Sequence, residues 1–354
     1  MAPAVTPGAA PPPDPGTASV LAVDSGGSGL RVMLADVEGR WSGTRVSAVP
    51  VRTGTRGIDP GHLMEQLVPM VRSLAEQAAA ERGGTPPTGS PPGPGVAVVG
   101  AAGLATLGDA LRTELPEALA RAFGVRTTVL AADAVTAYVG ALGIGPGAVV
   151  AAGTGVIALG TDLTAWRRAD GWGHLLGDCG GGAWIGRAGL EAALRAHDGR
   201  PDGSTALLTR AEARFGPLPG LPGLLYPRAD RPAVLASFAP DVAACAPSDP
   251  LAARILRTAA RHLADSAAAV CPPDGTPRIA VTGGLLRLGD ALLVPLAEEF
   301  DRRLPSARRV TAEGDPLTGA LRIGRALASG TLRLPPDEWL LHVTPPASDR
   351  KQGD

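Results

Sequence analysis

Two β-rich runs, each broken by a glycine turn, constrain the fold of this chain more than any other feature. Ser19–Asp24 (SVLAVD) is followed by SGGSG and then by LRVMLAD, which predicts two strands joined by a glycine turn. From Gly147 onward the pattern restarts in VVAAGTGVIALG, with Gly153, Thr154 and Gly155 at the turn. Two copies of one strand–turn–strand unit predict a duplicated architecture.

Helices and strands alternate after each turn, which predicts layered α/β domains. Before the second turn we expect strands at Arg45–Val51, Val96–Val99 and Arg126–Leu130, and helices at Pro60–Arg82, Leu107–Phe123 and Asp133–Leu142. After it we expect a strand at Arg278–Thr282 and helices at Ala183–His197, Ser204–Phe215, Arg231–Ala244, Pro250–Val270, Asp290–Arg303 and Pro316–Ser329. The remaining segments are predicted as a disordered leader at Met1–Gly16, loops at Gly83–Gly95 and Pro217–Pro227, and a tail of uncertain order over residues 330–354.

Composition bounds the class of protein. A chain of 354 residues has room for two domains, since domains average ~150 residues. Hydrophobic residues make up 45% but aromatic residues only 3%, so the cores must consist mainly of Ala, Val and Leu. The net charge of −1 argues against a nucleic-acid or basic membrane surface, and no apolar run approaches the ~18 residues of a membrane span. We expect a soluble, cytoplasmic protein.

Lysine and cysteine usage exclude several kinds of site. The only lysine is Lys351, so a nucleotide site must work without lysine, and the GxxxxGK[ST] phosphate loop is absent. Cys179, Cys245 and Cys271 are far apart and show no CxxC spacing, which suggests neither a zinc site nor a disulfide framework.

The glycine turns also bring polar groups to strand ends. The turn after Asp24 places successive backbone N–H groups beside a carboxylate; such a nest binds phosphate, and Asp24 can hold Mg²⁺ through its waters. Gly153–Gly155 offers a second nest with a threonine hydroxyl. In VTGG, Gly283 and Gly284 follow a strand and precede a helix, which allows a flat ring to approach the backbone closely.

A third glycine-rich stretch, GWGHLLGDCGGGAWIG from Gly171, fixes Asp178 beside bare backbone N–H groups at the start of a helix. This arrangement suits a polyhydroxy or phosphorylated ligand. The alternative is a surface turn in which Asp178 serves as a helix cap. Asp133, which precedes Ala-Val-Thr-Ala at a helix start, is open to the same alternative.

The order of these motifs resembles that of the superfamily of actin, sugar kinases and heat-shock chaperone ATPases. GWGHLLGDCGGGAWIG is similar to the N-acetylglucosamine kinase branch, which shares a domain family with the BadF/BadG/BcrA/BcrD-type ATPases. The similarity extends over about Val20–Ser329, including AADAVTAYVGAL, AAGTGVIALG, AVTGGLLRLGDALL and DPLTGALRIGRAL. It implies a two-domain actin-like ATPase (ribonuclease H-like) α/β fold with an interdomain cleft for ATP and sugar. The first domain would cover 17–142 and recruit the helix at 316–329, and the second would cover 143–315.

The resemblance also implies roles for single residues. Asp133 would be the catalytic base that takes the proton of the sugar 6-hydroxyl, and Asp24 would order Mg²⁺. Asp178 would accept hydrogen bonds from sugar hydroxyls, with help from the backbone at Gly173 and His174. Trp172 would pack within the same glycine-rich loop. The phosphates of ATP would lie along Ser25, Gly26, Gly27, Ser28, Gly153, Thr154 and Gly155, and adenosine would border Gly283 and Gly284. The implied activity is an ATP-dependent phosphotransferase with an alcohol acceptor, N-acetylglucosamine or a related amino sugar or hexose. Neither nucleic acid nor a membrane is implied as a partner, and a homodimer is left open.

The sugar side departs from the family pattern. Val156 and Ile157 stand where the animal kinases carry a Ser and a sugar-contacting Asn, and Val51–Asp59 lacks a second sugar-contacting Asn. Cys179 replaces the usual Glu, and Gly181 replaces a Ser. The resemblance therefore indicates phosphoryl transfer more strongly than it indicates one particular sugar.

Two other functions stay open at this point. One is a dehydratase activator, a kind of BadF/BadG-type ATPase that bridges an iron–sulfur cluster with cysteines at a dimer interface; the lack of a close cysteine pair counts against it. The other is a non-catalytic sugar or nucleotide sensor, which the altered sugar pocket suggests. Cys179 itself is either a reactive thiol at a helix N-terminus or simply a small residue that tolerates burial.

Overall fold

The computed structural model describes residues 19–26, 29–54, 57–81, 94–104 and 108–344. The expectations for Met1–Gly16, Gly27, Ser28, most of the 83–95 loop and the last ten residues lie outside these ranges. The chain separates into two compact units, with boundaries between Gly145 and Pro146 and between Ala312 and Glu313. Within the described part of the chain, no helix is both long and apolar enough to cross a membrane.

The first unit begins with the predicted glycine-turn strands and continues as alternating helices and strands. Its elements are β1 Ser19–Gly26, β2 Gly29–Asp36, β3 Ser42–Ser47, β4 Thr53–Gly54, β5 Gly57–Ile58, α1 Pro60–Glu81, β6 Val96–Ala101, α2 Asp109–Phe123, β7 Thr127–Ala132 and α3 Asp133–Leu142. β1, β2 and β3 pair antiparallel, whereas β1, β6 and β7 run parallel. Every residue of β6 is buried, as expected for a parallel strand covered on both faces.

The second unit repeats this start. Its elements are β8 Gly147–Ala152, β9 Val156–Thr161, β10 Trp166–Asp170, α4 Gly182–His197, α5 Thr205–Phe215, α6 Leu221–Leu225, α7 Arg231–Ala236, α8 Ala239–Cys245, α9 Pro250–Val270, β11 Arg278–Thr282, α10 Asp290–Arg303 and β12 Arg308–Arg309. β8, β9 and β10 pair antiparallel, and β11 and β12 run parallel to β8 in the order β10-β9-β8-β11-β12. The predicted duplication of the strand–turn–strand unit is therefore confirmed.

The chain then returns to the first unit as α11 Pro316–Ala328 and β13 Leu341–Thr344. Helix α11 packs closely on α3 through glycines: a Cβ on Gly140 would lie 2.1 Å from the Asp315 carbonyl oxygen, and one on Gly319 would lie 1.9 Å from that of Thr136. Strand β13 pairs antiparallel with β7 and completes the described sheet, in the order β13-β7-β6-β1-β2-β3. The cores are rich in Ala, Val and Leu, as the composition predicts.

Three local expectations were wrong. The strand expected at Arg45–Val51 lies at Ser42–Ser47. The single helix expected at Arg231–Ala244 is two helices, α7 and α8. Pro240 lies in the first turn of α8 and lacks the N–H group that would continue the ladder of α7.

The third concerns a segment expected to lack regular structure. The loop expected at Pro217–Pro227 contains a 3₁₀ turn and α6, with Leu218 and Leu221 buried against the core. The tail, whose order the sequence left uncertain, contains β13, which pairs with β7. Strand β10 was not predicted because its Arg167 and Arg168 interrupt any apolar alternation.

Candidate functional site

The carboxyl ends of three parallel strands meet at one edge of the first sheet, and two predicted site residues lie there. Ser25 on β1, Ala101 on β6 and Ala132 on β7 form one row across the sheet. Asp24 precedes the first of these residues and Asp133 follows the last. Because neighbouring strands lie about 4.8 Å apart, β1 and β7, whose ends carry the two aspartates, are about 10 Å apart across the sheet.

Asp133 is the first residue of α3, and the N-cap position belongs to Ala132. Oδ1 of Asp133 accepts a hydrogen bond from the backbone N–H of Ala134 at 2.9 Å, and the carbonyl oxygen of Asp133 accepts one from the Thr136 hydroxyl at 2.9 Å. The N-terminus of a helix stabilises a nearby negative charge. The half-buried carboxylate is therefore oriented by the start of its own helix.

Asp24 is held by an arginine on the neighbouring strand. Arg31 donates to Asp24 Oδ2 from Nε at 2.9 Å and from Nη2 at 2.6 Å. Its remaining Nη1 donates to Asp315 Oδ2 at 2.5 Å. Asp315 in turn caps α11, since its Oδ1 accepts from the backbone N–H of Thr318 at 2.9 Å. One guanidinium thus joins the end of β1 to the start of α11.

The charges in this cluster support one another. Burial alone would lower the pKa of Arg31, but the hydrogen bond and charge of Asp24 and the charge of Asp315 raise it above its ordinary value. Burial also opposes ionisation of Asp315, yet the hydrogen bonds from Thr318 and the charge of Arg31 hold its pKa below the usual range. Two carboxyl groups therefore share one permanent cation.

In the second unit, the turn between β8 and β9 is braced by the start of α4. The Gly153 N–H donates to the Gly155 carbonyl oxygen at 2.9 Å. The N–H groups of Gly182 and Ala183 donate to the carbonyl oxygens of Gly153 and Thr154 at 2.8 and 2.9 Å. The first donors of α4, which have no partner within a helix, are thereby satisfied and fix the predicted phosphate turn.

Asp178 packs directly on this turn. A Cβ on Gly155 would lie 2.1 Å from Asp178 Oδ2, so only glycine leaves room for the carboxylate. The other oxygen, Oδ1, accepts from the Gly173 N–H at 3.1 Å. Asp178 has a φ of 55°, a left-handed conformation that costs free energy for a residue other than glycine. The structure brings together the predicted sugar-side carboxylate and the predicted second phosphate turn.

Three large apolar side chains of the same loop, Trp172, Leu175 and Leu176, are exposed. Trp172 is 63% exposed, and the guanidinium of Arg168 lies 4.6 Å from its ring centroid. Arg168 also donates to the carbonyl oxygens of Asp170 and Gly171 at 3.1 and 2.7 Å. The half-buried His174 follows Gly173 in the same loop. Trp172 therefore packs on an arginine that holds the start of its own loop.

Gly283 adjoins the same turn from β11. It has a φ of 103°, and a Cβ there would lie 2.2 Å from the carbonyl oxygen of Ala152, the residue just before the turn. Gly284 begins the 3₁₀ turn Gly284–Leu288. The predicted adenosine motif and the predicted second phosphate turn are thus neighbours in the second unit.

Two residues of these sites were missed at the sequence level. Asp170 ends β10 just before the glycine-rich loop, and its Oδ1 accepts from the Asp178 N–H at 2.8 Å. Arg31 lies within β2, directly opposite Asp24. Arg31 could have been identified from the sequence, because it is a basic residue within an otherwise apolar strand of a predicted hairpin. Asp170 has no comparable feature in the sequence.

Cys179, beside Asp178, does not have the surroundings of a reactive thiol. Burial raises the pKa of its thiol, and the negative charges of Asp170 and Asp178 raise it further against the opposing effect of Arg187. Reactive cysteines depend on a lowered pKa and an electropositive setting. The neighbouring negative charges favour the alternative in which Cys179 is a small, burial-tolerant residue.

The first unit also contains an open cavity of about 470 Å³. It is formed largely by the segment in which the resemblance finds no sugar-contacting Asn. The Arg52 N–H there donates to Nδ1 of His62 at 2.8 Å. The lining residues are Arg52, Thr53, Gly54, Gly57, Ile58, Asp59, Pro60, Ala110 and Glu114.

Comparison with known structures agrees with this architecture. A protein from Chromobacterium violaceum, provisionally named an N-acetylglucosamine kinase, is 27% identical with a TM-score of 0.65, over 88% of this chain and 99% of its own. A protein from Porphyromonas gingivalis with the same provisional name is 16% identical with a TM-score of 0.63, over 89% of this chain and 100% of its own. The predicted two-domain actin-like ATPase fold is confirmed. No protein with a curated description matches the sequence.

A family model covers nearly all of the described chain. Residues 21–324 match the BadF/BadG/BcrA/BcrD ATPase family. The match includes the strand ends with Asp24 and Asp133, the turn at Gly153–Gly155 and the loop with Asp178, and it ends within α11. The chain belongs to the BadF/BadG/BcrA/BcrD ATPase family.

Proposed function

We propose that this protein is an ATP-dependent sugar kinase that phosphorylates the 6-hydroxyl group of N-acetylglucosamine or of a related amino sugar or hexose. The hydroxyl oxygen forms a bond to the γ-phosphorus, the bond from that phosphorus to the β–γ bridging oxygen breaks, and ADP leaves. Asp133 takes the hydroxyl proton as general base. Phosphoryl transfer depends mainly on positioning and charge neutralisation, so the base need only accept a late proton.

The observation that carries this proposal is the packing of Asp178 against Gly155. A carboxylate accepts hydrogen bonds from hydroxyl groups, and a glycine turn exposes backbone to phosphate. A hydroxyl-binding group therefore adjoins a phosphate-binding turn, as transfer to a sugar requires. The provisional kinase name of the Chromobacterium violaceum protein supports the same activity.

The residues present fit the phosphates of ATP. Among the described residues, no atom lies within 4 Å of a Cβ built on Gly26 or on Gly153, which leaves room for a phosphate beside the backbone at either turn. We assign the phosphates to Ser25, Gly26, Gly153, Thr154 and Gly155, and to Gly27 and Ser28 outside the described residues. Gly283 and Gly284 are assigned to adenosine.

Magnesium fits the surroundings of Asp24. Both bonds from Arg31 fall on Oδ2 of this carboxylate. Mg²⁺ keeps several waters and needs only one or two carboxylates besides substrate phosphates. A single carboxylate such as that of Asp24 is therefore sufficient, although the described residues contain no cluster of three or more His, Cys, Asp or Glu that could hold a metal. Mg²⁺ held through Asp24 would neutralise charge on the phosphates.

The cysteines argue against the alternative of a dehydratase activator. Cys245 and Cys271 are buried in the core of the second unit, 6% and 7% exposed. Cys179 is half-buried, and the three thiols are free. An iron–sulfur cluster shared across a dimer interface needs cysteines at the surface, which these positions do not provide.

The decisive experiment measures ADP release with a panel of hexoses and amino sugars. Asp133→Asn should lower turnover by about 10²- to 10⁴-fold, the usual contribution of a general base, while ATP binding stays near that of wild type. Asp109→Asn is a matched control, because Asp109 is also the first residue of its helix and its side chain is 89% exposed. The control should retain turnover.

Each other outcome has a definite meaning. Turnover retained in Asp133→Asn refutes the assignment of the base. Sugar binding by wild type without ADP release indicates a sensor instead of a kinase. A purified protein that is brown and contains iron restores the activator.

A further inference from the structure

Asp170 directly precedes the loop Gly171–Asp178, which we call the substrate loop, and has no role in the proposed catalytic site. It is the last residue of β10 and has a φ of 58°, so the chain turns sharply there. Asp and Asn are the residues other than glycine that adopt this conformation most readily. The carboxylate is half-buried and lies within the second unit.

Both oxygens of Asp170 are used to close the loop. Oδ1 accepts from the backbone N–H of Asp178 at 2.8 Å, across the whole loop. Oδ2 accepts from the hydroxyl of Ser266 at 2.5 Å, and Ser266 is only 8% exposed on α9. One carboxylate therefore ties the far end of the loop to its beginning and to a core helix.

This tie acts on the residue that we assign to the sugar hydroxyls. Asp178 holds a left-handed backbone, which persists only where the surroundings enforce it. Its N–H is fixed by Asp170, and its own Oδ1 is fixed by the Gly173 N–H. A Cβ on Gly177 would lie 3.0 Å from Asp170 Oδ1, so the chain passes close to the carboxylate just before Asp178.

We propose that Asp170 is a positioning residue for Asp178: its two hydrogen bonds hold the backbone of Asp178 where the side chain can bind the sugar. The proposal rests on the proposed function for its consequence, namely sugar affinity.

The first test compares Asp170→Ala with Asp162→Ala. Asp162 lies at the other end of β10, in an exposed turn where its Oδ1 accepts from the Thr164 N–H. Loss of a hydrogen bond to a charged group should raise the KM for N-acetylglucosamine about 10- to 100-fold in Asp170→Ala. The KM for ATP should change less than about twofold, and Asp162→Ala should match wild type. An unchanged sugar KM in Asp170→Ala overturns the proposal.

A second readout does not depend on turnover. Amide hydrogen exchange over 173–178 should be about tenfold or more faster in Asp170→Ala, since the Asp178 N–H loses its acceptor. Ser266→Ala removes one partner only and should move both readouts in the same direction by less. If Asp170→Ala does not fold, this milder variant decides: unchanged exchange and unchanged sugar KM refute the positioning role.

A conservative variant tests the hydrogen bond itself. Asp170→Asn keeps an oxygen for the Asp178 N–H and should show a smaller effect than Asp170→Ala. Equal losses in the two variants would contradict the role of this hydrogen bond. If wild type neither binds nor phosphorylates any sugar but exchange responds as expected, the kinase assignment fails and the loop anchor stands.

Discussion

The two glycines of the β8–β9 turn provide a sharp test of the site, because they differ in what their missing side chains would meet. Neither has a positive φ, so alanine is compatible with the backbone at both positions. A Cβ at Gly155 would lie 2.1 Å from Asp178 Oδ2, whereas a Cβ at Gly153 would meet no atom of the described part of the chain within 4 Å. Gly153→Ala and Gly155→Ala are therefore a matched pair.

The expected effect of Gly155→Ala follows from this contact. To reach a normal separation, the carboxylate of Asp178 must move by about 1 Å or more, which would disrupt the bond from the Gly173 N–H. A misplacement of about 1 Å can reduce catalysis by roughly 10²-fold. We expect kcat/KM for the sugar to fall about 10- to 100-fold, with the KM for ATP changed less.

Gly153→Ala should show the opposite pattern. Its methyl group enters space that we assign to phosphate, so the KM for ATP should rise by about tenfold, equivalent to roughly 1.4 kcal/mol, while the melting temperature stays within about 1 °C of wild type. The assay is ADP release with sugar and ATP varied separately, accompanied by thermal unfolding. Equal effects of the two variants on both substrates, or a sugar KM unaffected by Gly155→Ala, would refute the placement of Asp178 beside the phosphate turn.

Two further predictions concern stability. Asp315→Ala removes the cap of α11 and should lower the free energy of unfolding by about 1 kcal/mol, which lowers the melting temperature by a few degrees. The pKa of Asp315 is lower in the folded state than in the unfolded state. The stability difference from wild type should therefore be complete above the unfolded pKa of about 4 and vanish as the pH falls through the folded pKa. A difference that grows toward acid pH would contradict this sign. A chain truncated after Gly330 lacks β13 and the carbonyl oxygen of Leu340, which accepts from the Ala132 N–H at 2.8 Å. Because Ala132 directly precedes Asp133, both the melting temperature and the turnover should fall. A chain ending at Thr344 is the control, and equal behaviour of the two truncations would show that β13 is dispensable.

Local sequence determined the repeated core of this fold. Glycine between two apolar runs specifies a hairpin whatever lies elsewhere, so β1–β2 and β8–β9 were predictable from a few residues each. Strongly amphipathic helices such as α9 were equally predictable, because their apolar spacing is internal to the segment. Asp24 and Asp178 were identified as candidates from the glycine-rich segments beside them, whereas the role predicted for Asp133 came from the family resemblance.

Elements that depend on distant partners were not predictable. Strand β13 is a strand because β7 offers it a free edge, and β10 is one because β9 does. Proline shaped what periodicity alone suggested: Pro240 divides the expected helix at Arg231–Ala244 into two. Tertiary pairing and backbone chemistry decided these segments.

In the candidate site, sequence supplied the groups and tertiary structure decided their arrangement. Asp178 was identifiable in its motif, but its contact with Gly155 requires the loop to fold back on the turn. Asp170 reaches Ser266 across 96 positions, and Arg31 reaches Asp315 across 284. Hydrogen bonds of this range leave no periodicity in a sequence, because their partners are brought together only when the sheets and helices have packed.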